Sequence, residues 1–212
     1  RTLTGKGQRV DVALVDAVVA SLETGLQRYM ASGKQPELMG NRYASAYPYD
    51  SFEAKDGRFV IGCANDKLFT ALCTKVLGRE DLLTNPKFET NLKRCDNHTE
   101  LKPEIEKWTR EHTVDECVEL ILDAGVPAAP INDLKRVTTD KHIIGAREML
   151  VPMNHPVIGE MKVNGNPVKL MDTSADITHP APTLGEYNEA VYGELLGLTK
   201  EDIDKLAADK VI

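Results

Sequence analysis

The chain has 212 residues, of which 42% are hydrophobic and 28% charged, and its formal net charge is −7 at pH 7. This length and apolar content suffice for one large domain or two small ones. Acidic and basic residues are interspersed, which argues against nucleic-acid binding and a polybasic membrane anchor. No apolar run reaches the ~20 residues of a membrane span, and no secretory pattern opens the chain, so we expect a cytoplasmic protein.

The cysteine and histidine patterns predict no metal site. The four cysteines occur singly, without a CxxC pair, and the five histidines are scattered. Neither a zinc site nor a disulfide framework is expected from this spacing. We therefore predict that Cys63, Cys73, Cys95 and Cys117 are small buried hydrophobic residues.

The first predicted element is a long helix over residues 8–30. Apolar residues recur every four positions from Val10 to Leu26, which is typical of one helix face. A short strand at residues 10–12 is expected to precede it. Gly33, Pro36 and Gly40 then predict a linker over residues 31–42. Because the chain opens at Arg1 without a methionine or a capping signal, we expect it to be an excerpt of a longer chain.

A hairpin is predicted next. Residues 46–52 and 59–62 have the composition of short strands, and residues 55–57 supply a turn that ends in glycine. Tyr43, Tyr47, Tyr49 and Phe52 form the densest aromatic cluster here. Their rings could line a ligand cleft, or Tyr49 and Phe52 could form the core of the hairpin.

Helix caps mark the following elements. Asn65 or Asp66 caps a helix that ends at Gly78, where a residue without Cβ is unstrained. The pair Thr113 and Glu116 forms a capping box for a helix ending at residue 125.

A further capping box is predicted before a helix in the middle of the chain, where Asp96 or Asn97 stands three or four residues from Glu100. Pro103 implies a kink or a later start of that helix. The proline-rich residues 126–131 can only be extended, and they predict an edge strand or a crossing segment.

The last third of the chain predicts a small antiparallel meander and two helices. Residues 150–170 alternate around turns at residues 156–159 and at Asn164-Gly165. Residues 172–182 predict an irregular connection. Helices are then expected over residues 186–196 and, behind a cap at Thr199 with Asp202, over residues 203–208.

A succession of motifs runs through essentially the whole chain, beginning with Thr4-Gly-Lys-Gly-Gln8. The others lie at residues 48–57, 61–65, 81–88, 94–97, 125–131, 155–159, 181–186 and 195–198. In this order they resemble the class III (CaiB/BaiF) CoA-transferases. Each motif alone is weak, whereas their ordered succession is specific.

The resemblance implies transfer of CoA between an acyl-CoA and a carboxylic acid through an aspartyl anhydride and an aspartyl-CoA thioester. CoA is then a substrate, and no separate cofactor is expected. The nucleophilic Asp of the family lies upstream of Arg1, as do most contacts to the CoA nucleotide. The resemblance therefore places no catalytic residue in this chain, which would be inactive without its N-terminal half.

The resemblance also implies an α/β fold in which two subunits interlock as a homodimer. Residues 1–30 would be a helix of a Rossmann-like large domain, residues 31–42 a linker, and residues 43–150 a small α+β domain. Residues 151–185 would form a hairpin and connection, and residues 186–212 would return to the large domain. Expected acyl-pocket residues are Leu14, Tyr47, Tyr49 and Asn65.

Two other functions are compatible with the sequence. An α-methylacyl-CoA racemase shares this fold but uses a His and Asp acid-base pair, also in the upstream half. A non-catalytic fragment could serve only dimerisation or binding of a partner. Upstream sequence would separate the first alternative from a transferase.

Overall fold

The computed structural model describes residues 2–173 and 175–212. The chain divides into two compact units, Arg1–Ile131 and Asn132–Ile212, which we describe separately as the first and second units. None of the described helices is long and apolar enough to cross a membrane.

The first unit opens with two short helices, α1 (Leu14–Ala20) and α2 (Glu23–Ser32), neither of which has a buried residue. The prediction of one long helix over residues 8–30 is therefore wrong. The hydroxyl of Ser21 donates to the Val18 carbonyl at 2.8 Å, a local bond that competes with continuation of the helix. The strand predicted at residues 10–12 is irregular, because no neighbouring strand pairs with it.

A three-stranded antiparallel sheet follows, with the order β1 (Tyr49–Glu53), β2 (Arg58–Gly62) and β3 (Ala128–Pro130). The predicted hairpin is confirmed, and Phe52 pairs with Phe59 in its register. Strand β1 begins three residues later than predicted, because Pro48 has no N–H for a ladder. The extended segment predicted at residues 126–131 is confirmed as β3, at the edge of the sheet.

The next helices of the first unit are α3 (Asp66–Ala71) and α4 (Asp81–Thr84). Asn65 caps α3 as predicted, since its side-chain oxygen accepts from the Leu68 N–H at 3.0 Å. A π-helical segment, Leu72–Leu77, continues α3 as far as Gly78, whose φ of 61° confirms the predicted ending.

Three further helices complete the first unit: α5 (Asn91–Asp96), α6 (His98–Thr109) and α7 (Val114–Asp123). The capping box of Thr113 at the start of α7 is confirmed. The box predicted at residues 96–100 is wrong. The Asn97 amide donates instead to the Lys93 carbonyl at 2.9 Å, because α5 ends at this point.

The hydrophobic core lies between these helices and the sheet. It includes Tyr47, Phe52, Phe59, Phe69, Leu72, Leu101, Ile105, Cys117, Ile121 and Val126. We call residues 46–131 the core module. Phe52 of β1 and Phe59 of β2 belong to the same core as the buried residues of α6 and α7.

Arg94 is fully buried within the core module. Its guanidinium donates to the carbonyls of Tyr47 at 2.8 Å and Phe88 at 3.0 Å, and to the Asp66 carboxylate at 2.6 Å. It also lies 4.3 Å from the centre of the Phe69 ring. These partners replace the water that the cation loses on burial.

The second unit begins with α8 (Leu134–Thr139) and the π-helical segment Lys141–Ala146. It ends with the π-helical segment Glu189–Leu195 and α9 (Lys200–Ala208). The cap of α9 by Thr199 and Asp202 is confirmed, and the helix predicted over residues 186–196 is present but shorter.

The predicted meander of the second unit is instead a two-stranded hairpin of β4 (Leu150–His155) and β5 (Gly159–Asn164). Its turn is closed by His155, whose Nδ1 accepts from the Val157 N–H at 3.1 Å. Asn164-Gly165 forms no hairpin turn. Gly165 lies against the preceding backbone, where an added Cβ would be 2.9 Å from the Met149 Cα. The glycine therefore serves close backbone approach, not a change of direction.

Candidate functional site

An apolar cleft of ≈ 270 Å³ opens on the sheet of the first unit, at the end where Tyr49, Gly62 and Pro127 meet. Tyr49 and Val60, which are 43% and 37% exposed, stand on the face of the sheet that points away from the core. Successive side chains of a strand alternate between its two faces, so burial of Phe52 and Phe59 leaves these two outside. A Cβ on Gly62 would be 3.4 Å from Pro127 and would fill the floor of the cleft.

The segment before β1 is hydrogen-bonded to this edge strand of the sheet. The Tyr43 N–H donates to the Tyr49 carbonyl at 2.8 Å, and the two rings lie 5.2 Å apart. The Asn41 amide donates to the Ser51 hydroxyl at 3.2 Å. Asn41 thereby closes one side of the apolar cleft.

A charged cleft of ≈ 380 Å³ lies between β1 and α6, and its lining includes Arg42, Asp50, Lys102 and Glu106. Lys102 forms an ion pair of 2.7 Å with Asp50. Glu106 accepts from Arg110 at 2.9 Å. Asp50 is also among the residues that line the apolar cleft.

The four residues expected in the acyl pocket occupy different settings. Tyr49 lines the apolar cleft, and Asn65 caps α3. Leu14 is 89% exposed on α1. Tyr47 is buried in the core, where its carbonyl and Asp66 share the Arg94 guanidinium. The structure thus links Tyr47 to the N-terminal turn of α3, whereas Leu14 lies on a separate helix.

The hydroxyl of Tyr47 is buried without a hydrogen-bond partner among the described residues. Burial, and next to it the negative charges of Asp50 and Glu106, raises the pKa of this phenol above its ordinary value. The Tyr47 ring lies 5.9 Å from the ring of His98, which lines the charged cleft, so the phenol packs behind that wall.

Burial makes three of the four cysteines weak nucleophiles. Burial raises the pKa values of the Cys63, Cys73 and Cys117 thiols to about 12. The thiolate is the reactive form, and it is scarce at neutral pH at such values. These three are buried as predicted, whereas Cys95 is only half-buried, and all four are free. The described residues contain no group of His, Cys, Asp and Glu that could hold a metal ion.

Sequence reasoning missed the charged cleft. Arg42 fell within the predicted linker, and Asp50 within a predicted strand without a stated role. A signal was available, because His98, Lys102 and Glu106 are spaced four apart and share one face of α6. The partner of that face could not be found from spacing, since Asp50 is distant in sequence.

Three comparisons with known proteins agree. Residues 1–188 match the profile described as CoA-transferase family III. Succinyl-CoA--D-citramalate CoA-transferase of Chloroflexus aurantiacus is 33% identical over 100% of this chain and 52% of that protein. Acetyl-CoA:oxalate CoA-transferase of Acetobacter aceti is 36% identical over 92% of this chain and 48% of that protein.

Similarity extends to three dimensions. The crystal structure of a CAIB/BAIF family protein from Brucella suis matches with a TM-score of 0.74 and 33% identity, covering 92% of this chain and 50% of that one. The predicted α/β fold of the class III CoA-transferases is therefore confirmed. The chain spans about half the length of the curated relatives it matches. On the extent of the profile match and of these similarities, the chain belongs to CoA-transferase family III.

Proposed function

We propose that this chain is the C-terminal half of an enzyme that transfers CoA from an acyl-CoA donor to a carboxylic acid acceptor. One observation carries the proposal: similarity to a CoA-transferase extends over 100% of the chain at 33% identity. The match is distributed over the whole chain and is not confined to one motif.

The proposed chemistry uses an Asp carboxylate upstream of this chain. The carboxylate attacks the donor thioester carbonyl and expels CoA as a thiolate, which leaves a mixed anhydride. The thiolate attacks the aspartyl carbonyl, releasing the donor acid and leaving an aspartyl-CoA thioester. The acceptor carboxylate displaces the thiolate again, and the thiolate finally takes the acceptor acyl group and frees the Asp.

This chain would contribute the walls of the acyl site. In the proposed arrangement the acyl chain lies in the apolar cleft beside Tyr49, where exclusion of water protects the anhydride and thioester from hydrolysis. Tyr47 and Asn65 support that site through Arg94 and the start of α3. Leu14 approaches it from the large domain.

The proposed architecture has the small domain at residues 43–150 and large-domain segments at residues 1–30 and 186–212, in an interlocked homodimer. Exposure of apolar side chains on the leading helices supports it. Val18 is 60% exposed, Val19 49% and Leu22 48%. Such a contiguous apolar stripe is typical of a surface that another part of a protein covers.

We further propose a small dicarboxylic acid as the acceptor. D-Citramalate and oxalate, which two relatives take according to their names, are both dicarboxylic acids. Their second carboxylate carries a charge that the protein must bind or leave in water.

The test is trapping of the intermediate on the full-length protein. After incubation with acetyl-CoA or succinyl-CoA, mass spectrometry of proteolytic peptides should find CoA on the upstream Asp, and an Asp→Asn variant should lack the adduct. Product analysis should find the acceptor as its CoA thioester. Deuterium exchange at the α-carbon of a 2-methylacyl-CoA without an adduct would instead identify a racemase and contradict the proposal.

A further inference from the structure

The backbone does not require a glycine at position 62, the last residue of β2. The φ of Gly62 lies outside the left-handed region that favours glycine. No bulge requires it either, because the register is regular, with Tyr49 opposite Gly62 and Asp50 opposite Ile61. Gly78 is different, since its φ of 61° ends a helix.

The packing around Gly62 does not require a glycine. An added Cβ would lie 3.4 Å from the Cβ of Pro127, 3.7 Å from the Pro127 carbonyl oxygen and 3.7 Å from Cε2 of Tyr49. These are ordinary van der Waals distances, so an alanine would fit without displacing its neighbours. A glycine weakens a strand, and it often marks a place where a ligand approaches the backbone closely.

The space that the missing side chain leaves belongs to the apolar cleft. Strand β2 is central in the sheet, so Tyr49 on β1 and Pro127 before β3 flank Gly62 from opposite sides. Val60 precedes Gly62 by two residues and continues the apolar surface on the same face. A carbon chain can therefore lie on the strand backbone between two apolar rings.

Hydrogen bonds hold both walls of this space in place. The Gly62 N–H donates to the Pro127 carbonyl at 2.8 Å, and the Cys63 N–H donates to the Pro48 carbonyl, next to Tyr49, at 2.9 Å. A binding surface that is already ordered loses little conformational entropy when a ligand arrives. The width of the cleft here thus depends on the sheet and on the side chain at position 62.

We propose that Gly62 sets the bulk of the acyl group that the enzyme accepts, because its missing side chain admits a carbon chain against β2. The inference rests on the proposed CoA transfer and assigns selection of chain size to one residue. The cleft measures ≈ 270 Å³, and a methyl group at position 62 takes space from its floor. An acetyl group needs little of that space, whereas butyryl and succinyl groups need more.

The test is an exchange reaction of the full-length enzyme, in which each acyl-CoA is incubated with its own isotopically labelled acid. Acetate, butyrate and succinate are compared, and the label enters the thioester as the unlabelled acid leaves. Gly62→Ala should lower kcat/KM for butyryl-CoA and succinyl-CoA about 10-fold or more, the effect of one carbon in an apolar pocket. The value for acetyl-CoA should change by less than about twofold.

Two further variants complete the design. Val60→Ala removes atoms from the same cleft, so combining it with Gly62→Ala should restore part of the lost butyryl and succinyl exchange, which a purely structural role would not explain. Gly145→Ala adds the same methyl group at an exposed position with no atom within 4 Å, and it should leave all three rates unchanged. Gly62→Ala should keep or raise the unfolding temperature, because alanine restricts the unfolded chain.

The remaining outcomes overturn the inference. An equal fall for all three acids would indicate that Gly62 acts on the fold, and a fall for succinate alone would indicate recognition of charge. Unchanged rates would indicate that another part of the protein covers the cleft. A wild-type enzyme that exchanges acetate alone would refute this role of Gly62, whereas one that exchanges none of the acids would refute the proposed function as well.

Discussion

The core module and the leading helices both have apolar residues at helical or strand spacing, yet only one of them is buried. Among the described residues, every buried hydrophobic side chain except Ile203 lies between Ala46 and Val126. Helices α1 and α2 bury none. Periodicity therefore identifies which face of an element is apolar, but it does not identify what covers that face.

Among the substitutions that test this comparison, we expect the largest change in stability at Arg94. Its guanidinium binds three separate segments of the core module, at Tyr47, Asp66 and Phe88. We expect Arg94→Ala to lower the free energy of unfolding by about 3–5 kcal/mol, since it leaves two buried carbonyls without donors and opens a cavity beside Phe69. Urea unfolding measures the change.

The control is Lys93→Ala, on the neighbouring position of α5. Lys93 pairs with Glu89 at the surface, so its loss should cost at most about 0.5 kcal/mol. Similar losses for the two variants would show that the buried guanidinium does not stabilise the core module.

Tyr47→Phe should have a smaller effect of the opposite sign. Removing a buried hydroxyl that has no hydrogen-bond partner should raise the free energy of unfolding by about 1 kcal/mol. Tyr49→Phe, at a site 43% exposed, should leave stability unchanged. A loss of stability in Tyr47→Phe, measured by the same urea titration, would reveal a partner for the hydroxyl and weaken its description as part of a closed core.

Val18→Ser should have the smallest effect in this chain, below about 0.5 kcal/mol, because the side chain is 60% exposed. If the large domain covers α1 as proposed, the same substitution should cost about 1–2 kcal/mol in the full-length protein. Val126→Ser, at a fully buried valine, should destabilise both forms. Equal small effects of Val18→Ser in both forms would contradict the proposed covering.

Features determined by neighbouring residues were predicted well from sequence. The caps at Asn65, Thr113 and Thr199 each depend on residues within one helical turn, and the structure confirms them. Asn164-Gly165 misled the prediction, because a dipeptide that favours tight turns also permits close backbone packing.

Features determined by distant residues were not predicted. Arg94 has the sequence of an exposed helix residue, and its burial depends on carbonyls that only the folded chain brings to it. Arg42 was likewise placed in a predicted linker, because the residues that line the charged cleft with it are distant in sequence. Its place beside Asp50 follows from pairing of the preceding segment with β1, which composition does not encode. The family resemblance supplied the fold, but the residue contacts of both clefts came from the structure.

The sheet of the core module has a consequence for how the chain folds. Strands β1 and β2 are joined by a short turn, so their pairing is local. The other edge of β2 pairs with β3, where Ile61 is opposite Ala128, a residue far along the chain. Closing so long an intervening segment slows folding. During synthesis on the ribosome, β2 would leave its second edge open until β3 emerges, and an open edge is a template for aggregation.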